Sequence, residues 1–251
     1  MSVLVMEGVS RSFGTLEALR DVTFSVGSGV VCGLIGPNGA GKSTVLGLLL
    51  GLLAPDSGLV QVSGKNPLDT KDSPLGHVGA QIDQYGMFPS LSALDYVRYV
   101  GCLYGVDARM AKSRAEDLLF ALDLGEACRR RVGDLSLGNR KKVGIAAALV
   151  HKPSVLLLDE PMESLDPWSQ RLVAELISGF VQTGRTVLMS SHNLAMVERL
   201  CTQVIFLDEG CIRYDGFVSD LTAKTGLELM YLKTTKHGLS EGSLLERISW
   251  L

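Results

Sequence analysis

The chain has 251 residues, of which 46% are hydrophobic and 20% charged, with a formal net charge of -3. That is enough for one large domain, or a domain with a compact subdomain. The slight acidic balance argues against an electrostatically driven nucleic-acid binder, and no nucleic-acid partner is expected. Arg129, Arg130 and Arg131 form a short basic run, read here as a solvated turn between helices. Five cysteines (Cys32, Cys102, Cys128, Cys201, Cys211) without a CxxC pair fit reduced thiols in a cytosolic protein, and Cys32 reads as core. No stretch approaches the ~20 apolar residues of a membrane span. The opening MSVLVMEGVSRSFG lacks the basic region and long apolar core of a signal peptide. A soluble chain is expected, so a membrane role needs a partner.

In chain order, Val3–Val5 and Val22–Val26 suggest short strands separated by a turn near Gly14. Val30–Ile35 is a continuous apolar run, as expected of a strand buried on both faces. Lys42–Leu53 predicts a helix stopped near Pro55, and Leu59–Val62 alternates like a half-exposed strand. Helical periodicity then dominates in Leu94–Tyr104, Arg109–Leu122 and Leu137–Leu149. Strand signals return at Val155–Leu158, Thr186–Ser190 and Val204–Leu207, alternating with helical Ser169–Gln182 and Leu194–Leu200. The outline is a parallel α/β core interrupted by a helical insertion.

Two motifs carry chemistry. Gly36-Pro37-Asn38-Gly39-Ala40-Gly41-Lys42-Ser43, followed by Thr44, matches the phosphate-loop pattern G-x-x-x-x-G-K-[ST] between a strand and a helix. Glycines let backbone N–H groups converge on phosphate oxygens, and the helix start adds partial positive charge. Lys42 can reach the β- and γ-phosphates, and the Ser43 hydroxyl can ligate Mg²⁺. The apolar run Val155–Leu158 ends in Asp159 and Glu160. A buried strand has no structural need of two carboxylates. Beside a Mg-nucleotide, Asp159 would help hold the metal through water, and Glu160 would orient and deprotonate the attacking water.

Further segments make the pattern specific. Leu135-Ser136-Leu137-Gly138-Asn139 resembles the signature of ABC ATPases, Ser164-Leu165-Asp166 looks like their D-loop, and Ser190-Ser191-His192 looks like their switch-histidine loop. Phe13, before Gly14, matches the aromatic that stacks on adenine. Each also has a plain structural reading: Ser136 as a helix N-cap, Asp166 as a turn aspartate before Pro167, His192 as a strand-end histidine, Phe13 as core. Order, spacing and coverage over roughly residues 3–216 resemble the ABC ATPase family. The resemblance implies a P-loop NTPase core with a mainly parallel sheet, an N-terminal antiparallel β subdomain and an inserted α-helical subdomain. It implies a single domain over 1–216, with the core near 1–84 and 151–216 and the helices near 85–150, then a short extension over 217–251. It further implies ATP and Mg²⁺ as cofactors. Ser136, Gly138 and Asp166 would meet nucleotide held by the opposite subunit of a head-to-tail homo- or heterodimer, and His192 would bond the γ-phosphate. The helical insertion would dock an integral-membrane permease, placing the chain peripherally on the inner face of the cell membrane.

Two departures stand out. Counting back from Phe88-Pro89 places Asp83 where the family carries a Mg²⁺-ligating glutamine, with Gln84 adjacent and Gln81 two residues earlier. Asp83 is taken as the metal ligand, and Gln84 is the alternative if the loop slips by one. In the signature, Leu137 and Asn139 replace glycine and glutamine. Leu-Ser-x-Gly followed by Arg140, Lys141 and Lys142 resembles drug- and polymer-exporting branches, as do Tyr85–Pro89 and Gly226-Leu227-Glu228 more weakly. A catalytically degenerate heterodimer subunit and a soluble ABC protein acting on nucleic acid or ribosomes are the competing readings.

Overall fold

The computed structural model describes residues 2–82 and 86–222. Two strands open the chain, β1 (Ser2–Phe13) and β2 (Leu16–Gly27), paired antiparallel. Phe13 faces Leu16 across a two-residue turn in which Gly14, at φ 60, supplies left-handed backbone. Each strand is 12 residues long, far more than the short strands suggested by the valines, because register shifts keep polar stretches in the ladder. Next come β3 (Val31–Ile35), α1 (Lys42–Leu49) and β4 (Ser57–Val62). The first helix ends at Leu49 rather than Leu53, since Gly51 at φ 63 turns the chain ahead of Pro55.

The chain continues through β5 (Val78–Gln81), α2 (Ala93–Leu103), α3 (Ala108–Ala121) and α4 (Leu137–Leu149). Strand β6 (Val155–Leu158), α5 (Pro167–Gln182), β7 (Thr186–Ser191) and α6 (Leu194–Leu200) follow. The last described elements are β8 (Gln203–Asp208), β9 (Cys211–Phe217) and the short α7 (Val218–Thr222). One sheet is antiparallel, in the order β2-β1-β4. The larger one runs β5-β6-β7-β3-β8-β9 and is parallel except for the β8–β9 hairpin.

Strands β5 and β9 escape the sequence reading for opposite reasons. Strand β5 is short and contains Gly79 and Ala80, poor strand formers. Its pairing with β6 and the helix above it hold it in place: a Cβ on Gly79 would lie 2.0 Å from the Ala148 carbonyl oxygen of α4. Strand β9 is a half-exposed edge strand, polar on one face and without an apolar run.

The larger sheet carries two cores of alternating parity, as the two-residue period of a strand requires. Ile35, Leu156, Leu158, Val187, Met189, Val204 and Phe206 point into one cluster, which continues through Val97, Leu119 and Val143 of the helical insertion. Cys32, Leu34, Val155, Leu157, Leu188 and Ile205 point into the other, shared with α1 and the antiparallel sheet. Each fully buried aliphatic side chain contributes ~1.5–3 kcal/mol. Helix α4 therefore packs in one cluster with both the insertion and the sheet. Val218 and Leu221 of α7 are also buried in the first cluster. Cys32 is core, as the sequence suggests. The Arg129–Arg131 turn is exposed, with Arg130 donating to the Asp134 carbonyl at 3.1 Å. Among the described residues, no helix is long and apolar enough to cross a membrane.

Candidate active site

Helices α2, α3, α4, α5 and α6 each begin on a side chain that accepts from their first N–H groups: Ser92, Asp107, Ser136, Asp166 and Asn193. Helix α1 differs. Its N-cap is Gly41, at φ 108, with no side-chain hydrogen bond. Its leading N–H groups are left for a ligand with negative charge. The loop before it is held close to the sheet, since a Cβ on Gly36 would lie 2.1 Å from the Leu207 carbonyl oxygen. Lys42 Nζ donates to the carbonyl oxygens of Gly36 at 2.7 Å and Pro37 at 3.2 Å, arching over the loop from within. Burial lowers the Lys42 pKa, while the charges of Glu160 and Asp159 pull it upward.

The acidic end of β6 meets this loop through Ser43, whose hydroxyl lies 3.5 Å from Asp159 Oδ2. Ser190 at the end of β7 organises both carboxylate residues. Its Oγ donates to Asp159 Oδ1 at 2.6 Å and accepts from the Glu160 N–H at 2.8 Å. The Glu160 backbone is left-handed, at φ 45. Its carboxylate Oε2 lies 2.9 Å from His192 Nδ1 and accepts from the His192 N–H at 3.3 Å. Phe13, Asn38–Thr44, Asp159 and Glu160 together line one cleft of about 820 Å³. Phe13 is 44% exposed, with the Arg11 guanidinium 4.8 Å over its ring.

The donor set suits a hard cation. Ser43 and the buried Asp159 offer oxygens at the loop, and oxygen ligands are what Mg²⁺ takes. Among the described residues no group of three His, Cys, Asp or Glu side chains could hold a metal alone, as fits an ion completed by phosphate oxygens and water. Asp83, Gln84 and Tyr85 lie outside the described residues, as do Gly226, Leu227 and Glu228. Gln81 is described and buried, packed beneath Gly144 of α4.

Ser136, Gly138 and Asp166 are not in this cleft. Ser136 caps α4, accepting from Asn139 N at 3.2 Å. Gly138 packs on the turn after β6, where an added Cβ would lie 2.7 Å from the Ser164 carbonyl oxygen. Asp166 caps α5, bonding Ser169 N at 3.0 Å and Ser169 Oγ at 2.6 Å. These bonds, the hydroxyl first, hold its carboxyl below the usual carboxylate range. Within one chain, then, the capping roles are filled, and neither Ser136 nor Gly138 lines the cleft. Sequence reasoning assigned no role to Ser190. Its signal was a pair of hydroxyls, Ser190-Ser191, closing a buried apolar strand.

Comparison with known proteins agrees with this architecture. The family described as "ABC transporter" matches residues 19–163, and the chain belongs to it, as an ATPase. It is 31% identical over 247 residues to the linearmycin resistance ATP-binding protein LnrL of Bacillus subtilis, covering 97% of this chain and 78% of that one. To the doxorubicin resistance ATP-binding protein DrrA of Mycobacterium tuberculosis it is 33% identical over 225 residues, covering 89% and 68%. A solved structure, described as "Structure of ATP binding subunit of ABC transporter", superposes with a TM-score of 0.86 at 26% identity, covering 93% and 99% of the two chains. This is an ABC transporter ATP-binding subunit.

Proposed function

We propose that the chain binds Mg-ATP in the cleft over Gly36–Thr44 and hydrolyses it as half of a head-to-tail ABC dimer that drives an exporter permease. The observation that carries this is the Glu160 carboxylate held against His192 Nδ1 at 2.9 Å, at the mouth of the phosphate loop. Phe13 would stack on adenine at one end of the cleft. Lys42 would exchange its two loop carbonyls for β- and γ-phosphate oxygens. Ser43 and Asp159 would hold Mg²⁺, with Asp83 as the further ligand expected from the sequence. Bound there, the ion neutralises charge on the phosphates. Glu160 would orient a water and take its proton, and His192 would fix that carboxylate and bond the γ-phosphate. Ser136, Gly138 and Asp166, which do not line their own cleft, would meet the γ-phosphate side of a second subunit, homologous or identical.

A groove of about 620 Å³ lies between β5, α2 and α4, walled by Val78, Met87, Tyr96, Tyr104 and Leu137. We assign it to a short cytoplasmic helix of the permease, which would place the chain on the inner face of the membrane. The names of LnrL and DrrA, both resistance proteins, support export over import. The intact Glu160–His192 pair supports an active rather than a degenerate subunit.

The test is turnover by the purified chain with Mg-ATP, followed by Glu160→Gln. Loss of a general base should lower turnover by about 10²–10⁴-fold. The variant should also accumulate as an ATP-bound dimer in size-exclusion chromatography. Unchanged turnover, or a monomer at saturating ATP, would count against the reading.

A further inference from the structure

The turn that follows Glu160 is tied to α4 by a buried ammonium. Lys141 is 3% exposed, in the turn of α4 that follows Gly138. Its Nζ donates to the Glu160 carbonyl oxygen at 2.8 Å and lies 3.9 Å from the Glu163 carboxylate. The Glu163 N–H donates to the same carbonyl at 3.1 Å. An ammonium withdrawn from water is costly unless it is bonded and paired. A surface-facing helix position would not select it.

What the lysine grips is unusual backbone. Glu160 sits at φ 45 and Ser164 at φ 62, two left-handed non-glycine residues within one turn. Such conformations persist only where neighbours over-determine them. Ser190 holds the Glu160 N–H and Lys141 holds its carbonyl, so both ends of the residue are fixed by side chains. From that fixed backbone the carboxylate reaches His192, 2.9 Å from Nδ1. Lys141 also lines the groove between β5, α2 and α4, which puts Glu160 one side chain away from that surface.

We propose that Lys141 is a positioning residue for hydrolysis, holding the Glu160 carbonyl so that the carboxylate stays on the water-activating side of the cleft. The inference rests on the reading of Glu160 as the group that activates water. Lys141 does not line the cleft over the phosphate loop, so its loss should act on turnover and not on nucleotide affinity.

The purified full chain with Mg-ATP tests this through Lys141→Met and Lys141→Gln, each also in the Glu160→Gln background. Lys141→Met should lower kcat by about tenfold or more while KM for ATP moves less than about twofold. Lys141→Gln keeps an amide N–H donor and should recover part of that loss. In the Glu160→Gln background, adding Lys141→Met should change residual turnover by less than about twofold, because the group being positioned is gone. Wild-type turnover in Lys141→Met, or an equal loss in both backgrounds, overturns the proposal. Should the methionine variant fail to fold by thermal melting, the glutamine variant decides: reduced kcat with full ATP binding supports the role, and unaltered kcat overturns it. Undiminished turnover in Glu160→Gln alone would overturn the Glu160 reading and this one with it. An inactive Glu160→Gln beside a fully active Lys141→Met would overturn only the positioning role.

Discussion

Helices α1 and α4 both start at glycine-containing turns, and the same chain has treated the two starts in opposite ways. At α1 the N-cap glycine offers no side-chain acceptor, and a lysine reaches back over the loop. At α4, Ser136 closes the cap itself, and Gly138 is pressed against the Ser164 carbonyl. The start of α1 is open toward a ligand within its own subunit. The start of α4 is satisfied within its own subunit. The contrast shows one chain leaving one helix start without a side-chain cap and closing the other with its own hydroxyl.

That difference can be broken most severely at Lys42. Lys42→Met should weaken ATP binding by about 100-fold, since it removes a buried charged partner of the phosphates. Isothermal titration calorimetry would measure it. The same variant sharpens the electrostatics without nucleotide. Burial lowers the Lys42 pKa in the folded chain, so the unfolded state binds the proton more tightly. Folding stability in this group therefore rises as pH climbs through the lowered folded pKa toward the ordinary lysine value, and it is penalised below that window. At neutral pH without ATP, Lys42→Met should melt at or above the wild-type temperature. ATP should raise the melting temperature of the wild type only.

A smaller effect is expected at the carboxylate end of the same cleft. Ser190→Ala leaves buried Asp159 Oδ1 and the Glu160 N–H without their shared hydroxyl. A loss of about 1–3 kcal/mol in urea unfolding is expected, together with reduced turnover. Equal stability of the variant would show that the hydroxyl bridge is dispensable. The smallest effect belongs to the start of α4. Ser136→Ala removes a cap worth about 1 kcal/mol. ATP affinity of the isolated subunit should be unaltered, while turnover should fall only where subunits pair. A drop in the affinity of the monomer would erase the distinction between the two helix starts.

The phosphate loop and the acidic strand end were legible because both are local. Spacing within Gly36–Ser43 and the sequence Val155–Glu160 specify backbone and charge with no help from distant residues. The caps Ser136 and Asp166 were equally local, each accepting from a residue three positions on. Strand β5 was not legible, because Gly79 and Ala80 become a strand only between β6 and α4. Likewise the length of β1 and β2 comes from each other's ladder, and not from the few valines in either.

The amino-acid sequence by itself determined the glycine-rich loop, the acidic strand end and the alternation of strand and helix beneath them. These depend on neighbours a few residues apart. Only the tertiary structure decided that Ser190 bridges Asp159 and Glu160, that Lys141 holds the Glu160 carbonyl, and that Gly138 packs against the Ser164 carbonyl. Each of those contacts joins segments on different elements, and a side chain's partner across such a distance is set by packing, which no local pattern encodes.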